Sequence, residues 1–147
     1  MTTLRELALD RVSVPVTATI EEAAAALRES GLSAIAVLDG ERVVGVFSDL
    51  DVLRGIFPAY LAELRHTAFL EDDVEALEAR ARAMSTTLCS RLMREPHALD
   101  ADASPTHAAE RFLHGVDGAI PVVEQGRFLG MLSRAELARA MISRAGV

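Results

Sequence analysis

The sequence predicts an α+β fold made of two β-α-β-β-α repeats with approximate twofold symmetry, separated by a helical insert. Laid over itself at an offset of 85 residues, ALRESGLSAIAVLDGERVVGVFSDLDVLR meets RFLHGVDGAIPVVEQGRFLGMLSRAELAR without a gap. Ala34, Ile35, Val37, Arg42, Gly45, Ser48 and Arg54 fall on Ala119, Ile120, Val122, Arg127, Gly130, Ser133 and Arg139. Each copy also carries the same punctuation of caps, turns and apolar periods, which chance identities would not preserve together.

The elements follow in order. Short extended pieces at 12–16 and 97–99 lead into Thr19 and Ser104, both N-cap residues. Thr19 has Glu22 three residues on, and Ser104 is followed by Pro105 at the first helical position. Helices are predicted over 20–30 and 105–114, ended by Gly31 and Gly115. Paired apolar strands follow at 34–38 with 42–47 and at 119–123 with 127–132, Asp39-Gly40 and Gln125-Gly126 marking the hairpins. A last helix closes each repeat, over 49–57 and 134–143.

The division is 1–57, 58–85 and 86–147. In the insert, Val74, Leu77, Ala81, Met84 and Leu88 keep the 3-4 spacing of an amphipathic helix, with Glu71, Asp72 and Asp73 at its N-terminal end. Tyr60, Leu61, Leu64 and Phe69 form a second apolar face, and His66 beside the acids matches no metal-ligand spacing. A half of roughly 50 residues buries too little surface to stand alone, so the halves should pack together and leave two equivalent clefts.

Composition narrows the function. Half of the 147 residues are hydrophobic but only 4% are aromatic, so the core must be aliphatic. The net charge of −7 argues against nucleic acid as a partner. All cationic residues are Arg, which excludes a Walker-A lysine and a Schiff-base lysine. Cys89 is the only cysteine, so no internal disulfide forms and a small core role is expected. No apolar run is long enough to span a membrane and the start lacks the pattern of a signal peptide, so a cytoplasmic location is expected. The four histidines are scattered, and no nucleophile or metal set accompanies Asp49 and Asp51, so catalysis is not expected.

One motif carries chemistry. Gly-x-x-Ser-x-x-acid occurs as GVFSDLD at 45–51 and as GMLSRAE at 130–136. Locally it is a strand running into a capping box, in which Ser and the acid each satisfy an unpaired backbone N–H. With the repeat order and GAIPVV at 118–123, it makes the chain resemble a tandem pair of CBS domains, a Bateman module, over residues 4–57 and 86–143. The resemblance implies a regulatory module that binds an adenosine-containing molecule (AMP, ADP, ATP or S-adenosylmethionine) between its halves, and a homodimer. It requires no cofactor or metal. It further implies that Ser48 faces phosphate and Asp51 the ribose, with Ser133 and Glu136 as the second pair. Ser13, Val14, Ala34 and Ile35, and likewise Ala98, Leu99, Ala119 and Ile120, would line the base.

The two copies are not equal. Asp49 follows Ser48 and repels an anion, whereas Arg134 follows Ser133 and attracts one. A better diol site is expected at Asp51 and a better phosphate site near Arg134. With no effector domain in these residues, the regulated protein is expected to be a separate, unknown chain. The alternative is a ligand-free module that dimerises or docks through its helices.

Overall fold

In the computed structural model, residues 2–57 and 74–145 are described. The expected apolar face of Tyr60, Leu61, Leu64 and Phe69, and the readings of His66 and of Glu71, Asp72 and Asp73, lie outside them. Strand β1 (Ser13–Pro15) leads to helix α1 (Ile20–Ser30), the hairpin β2 (Ala34–Asp39) and β3 (Arg42–Ser48), and helix α2 (Asp49–Ile56). Helix α3 (Val74–Ser85) follows, then β4 (Leu99–Asp100), α4 (Pro105–His114), β5 (Ala119–Glu124), β6 (Arg127–Ser133) and α5 (Arg134–Arg144). Both halves therefore follow the predicted β-α-β-β-α order.

Local chemistry sets the boundaries. Thr19 and Glu22 close a reciprocal capping box at α1, and Ser104 caps α4 with Pro105 in the first turn. Gly31 ends α1 in the left-handed conformation that glycine adopts without penalty, at φ 72°. Gly115 does not repeat this: it ends α4 with extended backbone at φ −103°, because the chain leaves that helix straight toward β5. The first hairpin loop is Gly40-Glu41 rather than Asp39-Gly40, since Asp39 still pairs with Arg42. The second is Gln125-Gly126, both residues at positive φ, as a twist-matched two-residue turn requires.

The strands run β1-β2-β3-β6-β5-β4. The half-sheets meet through the pair Arg42 and Arg127, supported by the Phe128 N–H donating to the Glu41 carbonyl at 2.9 Å. Between them lies a cluster of small and aliphatic side chains: Ala34, Ala36, Val46, Ala119 and Met131.

The segments that precede each half cross over. A 3-10 turn at Leu4–Glu6 puts Leu4 and Leu7 into the second-half core, against Leu99, Phe112 and Leu132. A matching turn at Cys89–Arg91 puts Cys89 into the first-half core, with Leu92 and Met93 against it. Cys89 is thus the small core residue expected, but in the core of the half that precedes it in sequence, where burial pushes its thiol up. Backbone bonds fix each crossing. Asp10 exchanges two hydrogen bonds with Met131 at 2.9 and 2.7 Å, and Arg94 exchanges two with Val46 at 2.9 Å each. Each half needs the other's leading segment to complete its core, so neither buries a whole core alone.

Helix α3 breaks the symmetry. It packs on α1 and α2, with Met84 against the first-half core. Leu77 and Ala81 are half-buried, as the predicted face requires, but Val74 is exposed and Leu88 lies beyond the helix end.

Candidate functional site

The two Gly-x-x-Ser-x-x-acid motifs end strands β3 and β6 and start α2 and α5. Ser48 caps α2: the Asp51 N–H donates to its Oγ at 3.2 Å. In return the Ser48 N–H and Oγ–H both donate to Asp51 Oδ2, each at 2.9 Å. This pair is almost fully withdrawn from water, at 3% exposure for Ser48 and 5% for Asp51. A carboxylate that deep needs a counter-charge.

Arg94 supplies it. Its Nε–H donates to Asp51 Oδ1 at 2.8 Å, and one terminal amino group reaches Ser48 Oγ at 3.3 Å. The same guanidinium grips Asp117 through two parallel bonds, Nη2 to Oδ1 at 2.8 Å and Nη1 to Oδ2 at 3.1 Å. Both oxygens of Asp51 are therefore engaged, and the fork geometry of the guanidinium is fully used. The Asp117 bonds, then the Asp51 bond, hold Arg94 protonated well beyond its ordinary range against the opposing effect of burial. Arg94 sits on the crossing segment beside β3, and Asp117 precedes β5, so this cation ties the halves together.

Arg94 also lines a cleft of about 490 Å³ on the second half, with Pro96, His97, Arg111, Asp117 and Ala119. Ile120 lines it too, so two of the residues expected around a base meet there. Ser48 and Asp51 do not reach the cleft; Arg94 stands before them. Arg111 donates to the His97 carbonyl, which holds that wall in place. Leu99 is buried in the second-half core, and Val14 and Ile35 in the first. Ser13 and Ala98 are half-buried at the strand starts, and Ala34 packs at the contact between halves.

The second motif differs. Ser133 caps α5 by accepting from the Glu136 N–H at 3.0 Å, but Glu136 does not return the bond to its cap. Its carboxylate turns to Arg139, at 2.6 and 2.8 Å, and accepts a longer bond from the Ala8 N–H at 3.4 Å. Arg139 holds the Glu136 carboxyl below the usual carboxylate range. Arg134 is exposed beside Gly118, whose N–H donates to Ser33 Oγ at 3.2 Å across the contact between halves. No ion pair engages Arg134 among the described residues, which leaves a cation at the α5 N-terminus.

Arg94 and Asp117 escaped the sequence reading. At the 85-residue offset they fall on Leu9 and Leu32, so both are places where the repeat breaks rather than holds. Charges replacing leucines at matched positions were the signal. Among the described residues no cluster of His, Cys, Asp or Glu could hold a metal ion, and no helix is long and apolar enough to cross a membrane.

Duplicated halves with exchanged leading segments and a capped helix start in each define a paired-domain α+β module. The chain belongs to the CBS domain family, whose model matches residues 4–57 and 89–143. No curated protein is similar enough in sequence to count as a relative. Among solved structures, the CBS-pair protein CBSX2 from Arabidopsis thaliana superposes with a TM-score of 0.75 at 20% identity, covering 99% of this chain and 97% of that one. A structure of CBSX2 in complex with AMP gives 0.70 at 21%, covering 99% of each chain. The CBS domain of a CBS domain containing membrane protein from Sphaerobacter thermophilus gives 0.69 at 23%, covering 95% and 87%. At such identities these likenesses establish the fold.

Proposed function

We propose that the protein is a regulatory module that binds an adenine nucleotide between its two CBS halves and passes that occupancy to a separate partner protein. The observation that carries this reading is the cleft of about 490 Å³ on the second half, lined by Ala119, which also packs at the contact between the halves, by Ile120, and by two arginines, Arg94 and Arg111. That volume falls within the roughly 300–1,000 Å³ of small-molecule sites, and aliphatic floors with a few convergent polar groups suit a flat base carrying charge. The buried Ser48–Asp51 pair behind Arg94 offers a carboxylate for a vicinal diol at a helix start, where anions are also favoured. Arg134 adds a positive charge at the second helix start. The AMP complex of CBSX2 supports this choice of ligand class for a chain of the same fold.

A thermal-shift series with AMP, ADP, ATP and S-adenosylmethionine tests the reading. A ligand at 100 times its dissociation constant adds about 2.7 kcal/mol of stability. No shift with any of the four at millimolar concentration would overturn it and leave the ligand-free docking module in its place.

A further inference from the structure

We propose that Arg94 is the specificity-determining residue of this site. It occupies the first-half carboxylate from within, and it yields only to a ligand that brings an anion of its own. This rests on the nucleotide reading and adds to it a rule about which adenosine compounds enter.

The geometry carries the argument. Asp51 has two carboxylate oxygens: Ser48 fills one with two bonds, and Arg94 Nε fills the other at 2.8 Å. A ribose diol needs two acceptor sites, but these three bonds leave about one of the carboxylate's four open, on a residue only 5% exposed. The Ser48 bonds belong to the helix cap and break only with the start of α2. The Arg94 bond is the replaceable one, because the Arg94 side chain is one-third exposed and the residue already lines the cleft.

A neutral nucleoside that displaces Arg94 leaves a cation without half its partners and exchanges a charge-assisted bond for neutral ones, a net loss. A phosphorylated ligand offers the guanidinium a new fork-shaped partner as the diol takes its place on Asp51. The number of charge-assisted bonds is then conserved.

Asp117 sets how firmly the competitor is held. Its bidentate grip, at 2.8 and 3.1 Å, anchors Arg94 in the closed arrangement and is not itself needed by the diol. The two charges stand where the other repeat carries Leu9 and Leu32, so the first motif has this arrangement and the second does not. In the second motif Glu136 is instead held by a neighbour one helical turn away, Arg139.

The test compares AMP with adenosine by titration calorimetry on wild type, Asp117→Asn and Arg94→Gln, with each variant's fold checked by circular dichroism. Wild type is expected to bind AMP at least about a hundredfold more tightly than adenosine. Asp117→Asn keeps the Arg94–Asp51 pair, so it should fold with a lower melting temperature yet bind AMP about tenfold more tightly. Arg94→Gln should bring the AMP-to-adenosine ratio below about tenfold. A separate readout needs no ligand: the Arg94 Nε–H proton should give a slowly exchanging NMR signal in the free protein and lose its protection when AMP is added.

If AMP binds but Asp117→Asn weakens it or leaves it unchanged, or if the Nε–H signal is missing from the free protein, the competitor role is wrong and the nucleotide reading stands. If neither compound binds any of the three proteins, the nucleotide reading falls and takes the selectivity rule with it.

Discussion

Replacing Gly130 with Ala is the most direct probe of the crossed architecture. Gly130 pairs with Val122 in the β5–β6 ladder and has no positive φ, so an alanine there costs nothing in backbone strain. Strand propensity alone would make the change stabilising, by about 0.5–1 kcal/mol. The crossing segment reverses the sign. A Cβ on Gly130 would stand 2.7 Å from Leu9 Cβ and 3.2 Å from the Asp10 carbonyl oxygen, and neither can swing away.

Relief requires the 4–10 segment to lift off β6, which strains its two bonds between Asp10 and Met131. Overpacking costs about 1–3 kcal/mol and a weakened pair of backbone bonds about 1 kcal/mol more. After the propensity gain is subtracted, the net expectation is a loss of about 2 kcal/mol, or roughly 7 °C in melting temperature for a chain of this size.

The internal control is Gly45→Ala, the same motif position in the first half. Its Cβ would meet Met93 chiefly at Sδ, 2.4 Å, and Cγ, 2.8 Å, with Met93 Cβ at 3.0 Å. A flexible thioether chain can repack, so the loss there should be about 1 kcal/mol. Urea unfolding followed by circular dichroism suits a protein without Trp. A Gly130→Ala protein as stable as wild type, or a Gly45→Ala protein that loses more, would refute the account of both crossings.

Asp51→Asn should lower stability by about 2 kcal/mol, since it leaves Arg94 short of a partner in a mostly buried site, whereas Glu136→Gln, on a pair open to solvent through Arg139, should stay within about 1 kcal/mol. Equal losses in urea unfolding would remove the distinction between the two motifs. The Glu136 carboxyl is held below the ordinary value of 4.5, so its pairing with Arg139 stabilises fully above that pH and fades as pH falls through the lowered value. The stability gap between wild type and Arg139→Ala should therefore be constant above about pH 5 and shrink in stronger acid, and a gap that widens there would contradict the pairing. Leu4→Ala empties a fully buried position in the second-half core and should cost about 2–5 kcal/mol. Hydrogen exchange should show the loss in β5 and β6; loss of protection confined to β2 and β3 would place the leading segment on the wrong half.

Much of this was legible in the chain because it is written locally and twice. The caps at Thr19, Ser48, Ser104 and Ser133 each need only a short polar side chain three residues ahead of a free N–H, so spacing reveals them. The hairpins and apolar strands are equally local, and repetition at a fixed offset raised them above coincidence. The same comparison also misled. By matching likeness to likeness it passed over Arg94 against Leu9 and Asp117 against Leu32, and so it expected the better diol site at Asp51 without the arginine that stands before it. Nothing local in the sequence says that a residue 43 positions away donates to that carboxylate.

By itself the sequence determined the duplicated α+β plan, the helix starts and stops, and the placing of a serine and an acid at the head of each closing helix. Those follow from backbone groups that must be satisfied within a few residues. Tertiary structure alone decided that the leading segments trade halves, that the motif glycines exist to let those segments pass, and that Asp51 meets the world through Arg94. Each of these depends on contacts between distant parts of the chain, where burial and charge balance are settled only once both halves share a core.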